Sequence, residues 1–168
     1  MKVLVTVGAQ LPFKRLVEAI NDINKSLNLD VFAQVGEDSN AYDGIQVVDF
    51  LSSNEYKAKL DWCDIVIAHA GMGTIIQCLE LNKKLIVVPR LAKFGEHRND
   101  HQLDTIARFE PLTSSISLMR VCRDVEDLQQ TLEEIEKLSE RNDFFTTEKE
   151  KDTENLGVYI KKMIDDEV

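Results

Sequence analysis

The sequence predicts a doubly wound α/β domain built on a mostly parallel sheet of about six strands. Three observations predict it. Short β-rich apolar runs alternate with segments of helical periodicity along the chain. The strand runs are continuous rather than alternating, as in KLIVVP (84–89), which is the pattern of strands covered on both faces. No internal repeat or low-complexity linker divides the 168 residues, a length that suits one core.

The elements follow in order. KVLVTV (2–7) is a strand that ends at Gly8. Pro12 suits the first turn of a helix, in which Leu16, Val17, Ile20, Ile23 and Leu27 recur at helical spacing. VFAQV (31–35) is the next strand and ends at Gly36; IQVVDF (45–50) is the third. Ser52 with Glu55 forms a capping-box pattern before a short helix with Tyr56 and Leu60 facing inward. DIVIA (64–68) leads into a helix from about Gly73 to Leu81, and KLIVVP follows. The loop RLAKFGEHRN precedes a helix from about Asp100 to Arg108, and a last strand falls within 116–121. Asp124 with Asp127 caps a helix carrying Val125, Leu128, Leu132, Ile135 and Leu138. After a polar stretch (140–153), Leu156, Tyr159, Ile160 and Met163 form a final amphipathic helix. The expected organisation is a Rossmann-like body over 1–123 and acidic C-terminal helices over 124–168.

Charge supports that division. The chain carries 20 Lys+Arg against 30 Asp+Glu, a net of −10. Residues 1–123 hold 14 against 15, and residues 124–168 hold 6 against 15. The body is near neutral and the tail is acidic, so there is no basic footprint for nucleic acid. A solvated helix surface accounts for the tail. No run approaches the roughly 18 apolar residues of a membrane span. MKVLVTVGAQLPF lacks a small-residue cleavage site and suits a strand better than a signal peptide. Three scattered cysteines without CxxC (Cys63, Cys78, Cys122) fit reduced thiols in a cytoplasmic protein.

In such folds ligands bind beyond the carboxyl ends of the strands. The segments there are GAQLPF, AHAGMGT and PRLAKFGEHRNDHQ. The last two hold all three histidines (His69, His97, His101) together with Arg90, Lys93 and Arg98. Gly71 and Gly73 precede a helix, so they either shape a tight turn or let backbone N–H groups approach a phosphate. The pattern is not the dinucleotide fingerprint, because Ile76 stands where its third glycine would be. His97 and His101 are four apart beside Glu96, but no Cys or HExxH completes a metal site, and none is expected. Asp100, His101 and Gln102 can hydrogen-bond a hydroxylated ligand; capping by Asn99 or Asp100 accounts for one residue of that cluster.

DIVIAHAGMGTIIQCLELNKKLIVVPR followed by GEHRNDHQLDTIA resembles the C-terminal domain of family 28 glycosyltransferases. The chain is most similar to the stand-alone form of that domain. Such forms include bacterial exopolysaccharide glycosyltransferase subunits and the catalytic subunit of the eukaryotic dolichol-linked N-acetylglucosaminyltransferase. VTVGAQLPF adds to the likeness, which covers roughly residues 1–123, and the GEHRNDHQ form looks more like the bacterial branch.

The resemblance implies the C-terminal half of a GT-B fold, a UDP-sugar donor as substrate, and no further cofactor. It places Gly8 and Gln10 near the donor phosphates or the acceptor. It gives His69, Ala70, Gly71, Gly73 and Thr74 the diphosphate and nearby sugar. Arg90 and Leu91 would flank uracil or ribose, and Asp100, His101 and Gln102 would read sugar hydroxyls. Many relatives have Glu where Gln77 stands, so this chain would meet the ribose diol with an amide. His69 is the candidate base for inversion, with a base from elsewhere as the alternative. The resemblance also implies a membrane-anchored partner that supplies the acceptor half for a lipid-linked saccharide, with the chain held at the cytoplasmic membrane face through it. The final helix docks either on that partner or on its own domain. A non-catalytic nucleotide-sugar-binding subunit is the alternative.

Overall fold

The computed structural model describes residues 1–8, 11–38, 40–113 and 118–142. Gln10 and the expected final helix around Leu156–Met163 lie outside the described residues. The strands are β1 (Lys2–Thr6), β2 (Asp30–Gln34), β3 (Gln46–Val48), β4 (Ile65–His69), β5 (Lys84–Val88) and β6 (Met119–Val121). They form one sheet in the order β3-β2-β1-β4-β5-β6, and every pairing is parallel. The helices are α1 (Lys14–Leu27), α2 (Ser53–Trp62), α3 (Met72–Glu80), α4 (His101–Phe109) and α5 (Leu128–Asn142).

Strand alternation sorts the core into two layers. On β4, Val66 and Ala68 face one side, under Leu60 of α2, Ile75 and Leu79 of α3, and Ile106 and Phe109 of α4. Ile65 and Ile67 face the other side, under Leu16, Val17 and Ile20 of α1 and Leu128, Leu132 and Ile135 of α5. Each Val, Leu, Ile or Phe among them contributes about 1.5–3 kcal/mol when fully buried. The described start of the acidic segment, through Ile135 of α5, therefore sends one apolar face into the same core. The side chain of Leu138 is outside the description.

Several expected boundaries move for local reasons. Pro12 stands two residues before α1: Phe13 is its N-cap, and the Phe13 carbonyl accepts from Leu16 and Val17. The third strand is only three residues long, because it lies at the sheet edge and pairs with β2 alone. Asp124 makes no side-chain cap; a short 3₁₀ turn over Val125–Asp127 comes first, and α5 starts at Leu128. The Ser52–Glu55 box forms as read, with Glu55 Oε2 accepting from the Ser52 N–H at 2.8 Å and Ser52 Oγ accepting from the Glu55 N–H at 3.3 Å. Tyr56 and Leu60 both pack on the core.

The order places the topological switch between β1 and β4. Crossovers leave those two strands toward opposite faces, which opens a crevice at their carboxyl ends. Thr6 pairs beside Ala68 there, and His69 beside Val88.

Candidate functional site

A cavity of about 460 Å³ opens at this switch point. Gly8, His69, Ala70, Gly71, Arg90, His101 and Gln102 all line it, so residues from three separate segments meet as expected. Gly73, Thr74, Gln77 and Asp100 lie outside that lining. Val7, Met72, His97 and Thr105 join it. Thr105 had a legible signal, since it follows His101 by four residues on one helical face.

His69 ends β4, and its imidazole lies between two glycines. A Cβ at Gly71 would stand 2.3 Å from His69 Nε2, and one at Gly8 would stand 2.8 Å from Cε1. Gly8 also has φ +77°, a left-handed backbone that favours glycine. These two glycines therefore make room for a ring. Gly73 differs: a Cβ there would meet nothing within 4 Å. No contact among the described residues demands glycine in the first turn of α3, where it costs up to about 1 kcal/mol against Ala.

The start of α3 is open to an anion. Its N-cap, Gly71, provides no side-chain cap, and its first turn has no acidic residue. Its leading N–H groups carry the partial positive charge of the helix terminus.

Arg90 is a tether between loops. It is only 3% exposed, and its guanidinium donates to the Val7 carbonyl at 2.7 Å and to the Leu11 carbonyl. Its own N–H donates to Gln102 Oε1 at 2.9 Å, which fixes the similarly buried Gln102. Asp100 is engaged elsewhere as well: its carboxylate accepts from the Ala92 N–H at 2.7 Å and caps the 3₁₀ turn over Ala92–Phe94 rather than α4. Glu96 accepts both arms of Arg15, at 2.8 and 3.0 Å, and the Leu91 N–H at 2.9 Å. That carboxylate is committed to a structural fork.

Burial pushes the basicity of His69 down to about 4, and the positive charge of Arg90 adds to the shift. The imidazole is therefore neutral near pH 7. The unfolded chain protonates this group near 6.5, while the native cleft holds it neutral down to about 4. Stability contributed here is full above pH 6.5 and is lost as pH falls toward 4. Urea unfolding at pH 7 and 4.5 tests this: wild type is expected to lose ground against His69→Asn at the lower pH, and a pH-independent difference contradicts it.

Sheet order and cleft together define a class: a doubly wound domain with a cleft at its topological switch point, the place where open α/β sheets bind ligands. Residues 2–163 match the model of the glycosyltransferase family 28 C-terminal domain, and the chain belongs to that family. UDP-N-acetylglucosamine transferase subunit ALG13 of Debaryomyces hansenii is 35% identical over 86 residues, covering 47% of this chain and 41% of that protein. The chain spans less than half the length of the curated relatives it matches. Two solved structures share the fold. MurG of Acinetobacter baumannii aligns at TM-score 0.55 and 22% identity over 76% of this chain and 39% of its own. The glycosyltransferase SsfS6 of Streptomyces sp. SF2575, complexed with thymidine diphosphate, aligns at 0.57 and 19% over 96% and 37%. The architecture is thus that of one half of a GT-B glycosyltransferase.

Proposed function

We propose that the chain is the donor-binding half of an inverting glycosyltransferase, which takes a UDP-sugar and transfers its sugar to a lipid-linked saccharide. The observation that carries this reading is the open start of α3, with Gly73 beside it in free space. A diphosphate fits there, against the N–H groups of the first turn. Those groups also stabilise the charge that builds on UDP as the glycosidic bond breaks. His69, held neutral, forms the wall beside the diphosphate as a hydrogen-bonding group. A pKa of about 4 is a poor match for a base working near neutrality. A base other than His69 then takes the acceptor's proton.

The partner is a membrane-anchored subunit that contributes the acceptor half and holds this chain at the cytoplasmic membrane face. One thing supports it: the ALG13 proteins this chain resembles are named as subunits of a transferase. Exopolysaccharide or glycan assembly is the expected setting.

Gly73→Asp tests the reading, because it sets a carboxylate beside the diphosphate without a steric clash in the chain. Calorimetry is expected to show UDP binding to wild type and at least tenfold weaker binding to the variant, with an unchanged melting temperature. Equal binding by both proteins would reject the diphosphate site. Turnover with the partner present, lost in Gly73→Asp, separates a catalytic subunit from a purely nucleotide-sugar-binding one.

A further inference from the structure

The connection from β5 to α4, residues 89–100, has little regular structure of its own. It holds one short 3₁₀ turn, in which the Phe94 and Gly95 N–H groups donate to the Leu91 and Ala92 carbonyls. Yet it carries Arg90 of the cleft wall and leads into His101 and Gln102. A segment with so few internal bonds needs side chains from elsewhere to fix it. Arg15, in the first turn of α1, reaches it from across the cleft floor.

The Arg15 Nη2 donates to the Pro89 carbonyl at 3.1 Å and to Glu96 Oε2 at 3.0 Å, and its Nε donates to Glu96 Oε1 at 2.8 Å. Glu96 Oε2 extends the hold by accepting from the Leu91 N–H at 2.9 Å. One guanidinium thus fixes the residues on both sides of Arg90: Pro89 directly, and Leu91 through Glu96. The Phe94 ring adds a contact, with its centroid 4.8 Å from the Arg15 guanidinium carbon. The Arg15 and Glu96 side chains are only 16% and 8% exposed. Water therefore screens the pair little, and removing one partner strands the charge of the other. These hydrogen bonds all end in the connection, so what they order is a wall of the cleft.

We propose that Arg15 is a positioning residue of the donor site: through Glu96 it sets the exit of β5, and so holds Arg90 and its wall in the shape that receives UDP. Arg15 itself lies outside the cavity lining. Its effect is preorganisation, because a wall left loose must be ordered when the ligand binds, and that ordering weakens affinity. The inference rests on the donor-site reading, because it takes UDP as the ligand of this cleft.

Calorimetry of the full chain with UDP, at a temperature where every variant is folded, tests it. Arg15→Met keeps the aliphatic stem without a donor and is expected to bind UDP about tenfold more weakly, the scale of ordering one or two side chains. Arg15→Lys keeps the charge but cannot hold Pro89 and both Glu96 oxygens at once, and is expected to lose about threefold. Adding Glu96→Met to Arg15→Met is expected to change affinity less than about twofold further, because the two residues act as a unit. In amide NMR the Leu91 signal is expected to move in Arg15→Met. A merely structural role would lower the melting temperature and leave UDP affinity alone. Unchanged UDP affinity in Arg15→Met, or losses from Arg15→Met and Glu96→Met that multiply in the double variant, overturns the role of Arg15 alone. If Arg15→Met does not fold, Arg15→Lys decides in its place, and unchanged affinity there overturns the role. A wild-type chain that does not bind UDP overturns the donor site, and the role of Arg15 with it.

Discussion

Gly71→Ala is expected to abolish measurable UDP binding and to destabilise the fold by about 1–3 kcal/mol, the range for overpacking a filled site. The backbone is not the reason, because Gly71 has ordinary extended angles (φ −91°, ψ 125°) that any residue adopts. The reason is the His69 ring, whose Nε2 would lie 2.3 Å from the new methyl. A ring at the end of a flexible side chain could swing aside cheaply. This one has Gly8 close on its other flank and the cavity as the open space it lines, so a displaced ring fills the cavity. A double-mutant cycle isolates the effect. Once His69→Ala has removed the ring, adding Gly71→Ala costs little stability. The expected coupling is about 1–2 kcal/mol, within the range for residues in direct contact. Additive losses would show that Gly71 is needed for some other reason.

Arg90→Met is expected to cost about 2–3 kcal/mol, which at roughly 2–4 °C per kcal/mol for a chain of this size lowers the melting temperature by about 4–12 °C. Met approximates the volume beside the Phe13 ring, whose centroid lies 5.5 Å from the guanidinium carbon. It cannot donate to the Val7 and Leu11 carbonyls, so the loop after β1 loses its tie to the end of β5. Arg90→Lys keeps the charge but not the fork, and should fall between. A second readout separates this account from a general loss of packing. The charge of Arg90 helps hold His69 basicity down, so its removal should raise the His69 pKa in an NMR titration. An unchanged or lower value contradicts the proposed electrostatics.

The fold was legible because its determinants are local. Continuous apolar runs mark the strands, and the Ser52–Glu55 box marks the start of α2. The short β3 was not legible, since nothing in IQVVDF tells an edge strand from a central one. The meeting of AHAGMGT with the GEHRNDHQ segment was legible from the rule that loops at one sheet edge converge. What each residue does there was less so. Gly71 and Gly73 looked alike in sequence, yet one fits a neighbouring ring and the other borders open space. The resemblance sets Arg90 beside the nucleotide, and it does line the cavity. Its side chain also reaches carbonyls 83 and 79 residues away in sequence, and no local pattern announces such partners. Asp100 was read as a ligand to sugar hydroxyls, and its carboxylate is held by Ala92. In both cases a long-range or looped hydrogen bond holds the side chain, and periodicity carries no trace of it.

The central claim is that a donor diphosphate sits on the first turn of α3, between the ends of β1 and β4. Amide NMR during a titration of the full chain with UDP tests it most directly. The predicted result is that the amides of Met72, Gly73 and Thr74 shift most, with Gly8 and Gly71 next. Saturable shifts confined to another surface, such as the β3 edge around Val47 and Phe50, would contradict it.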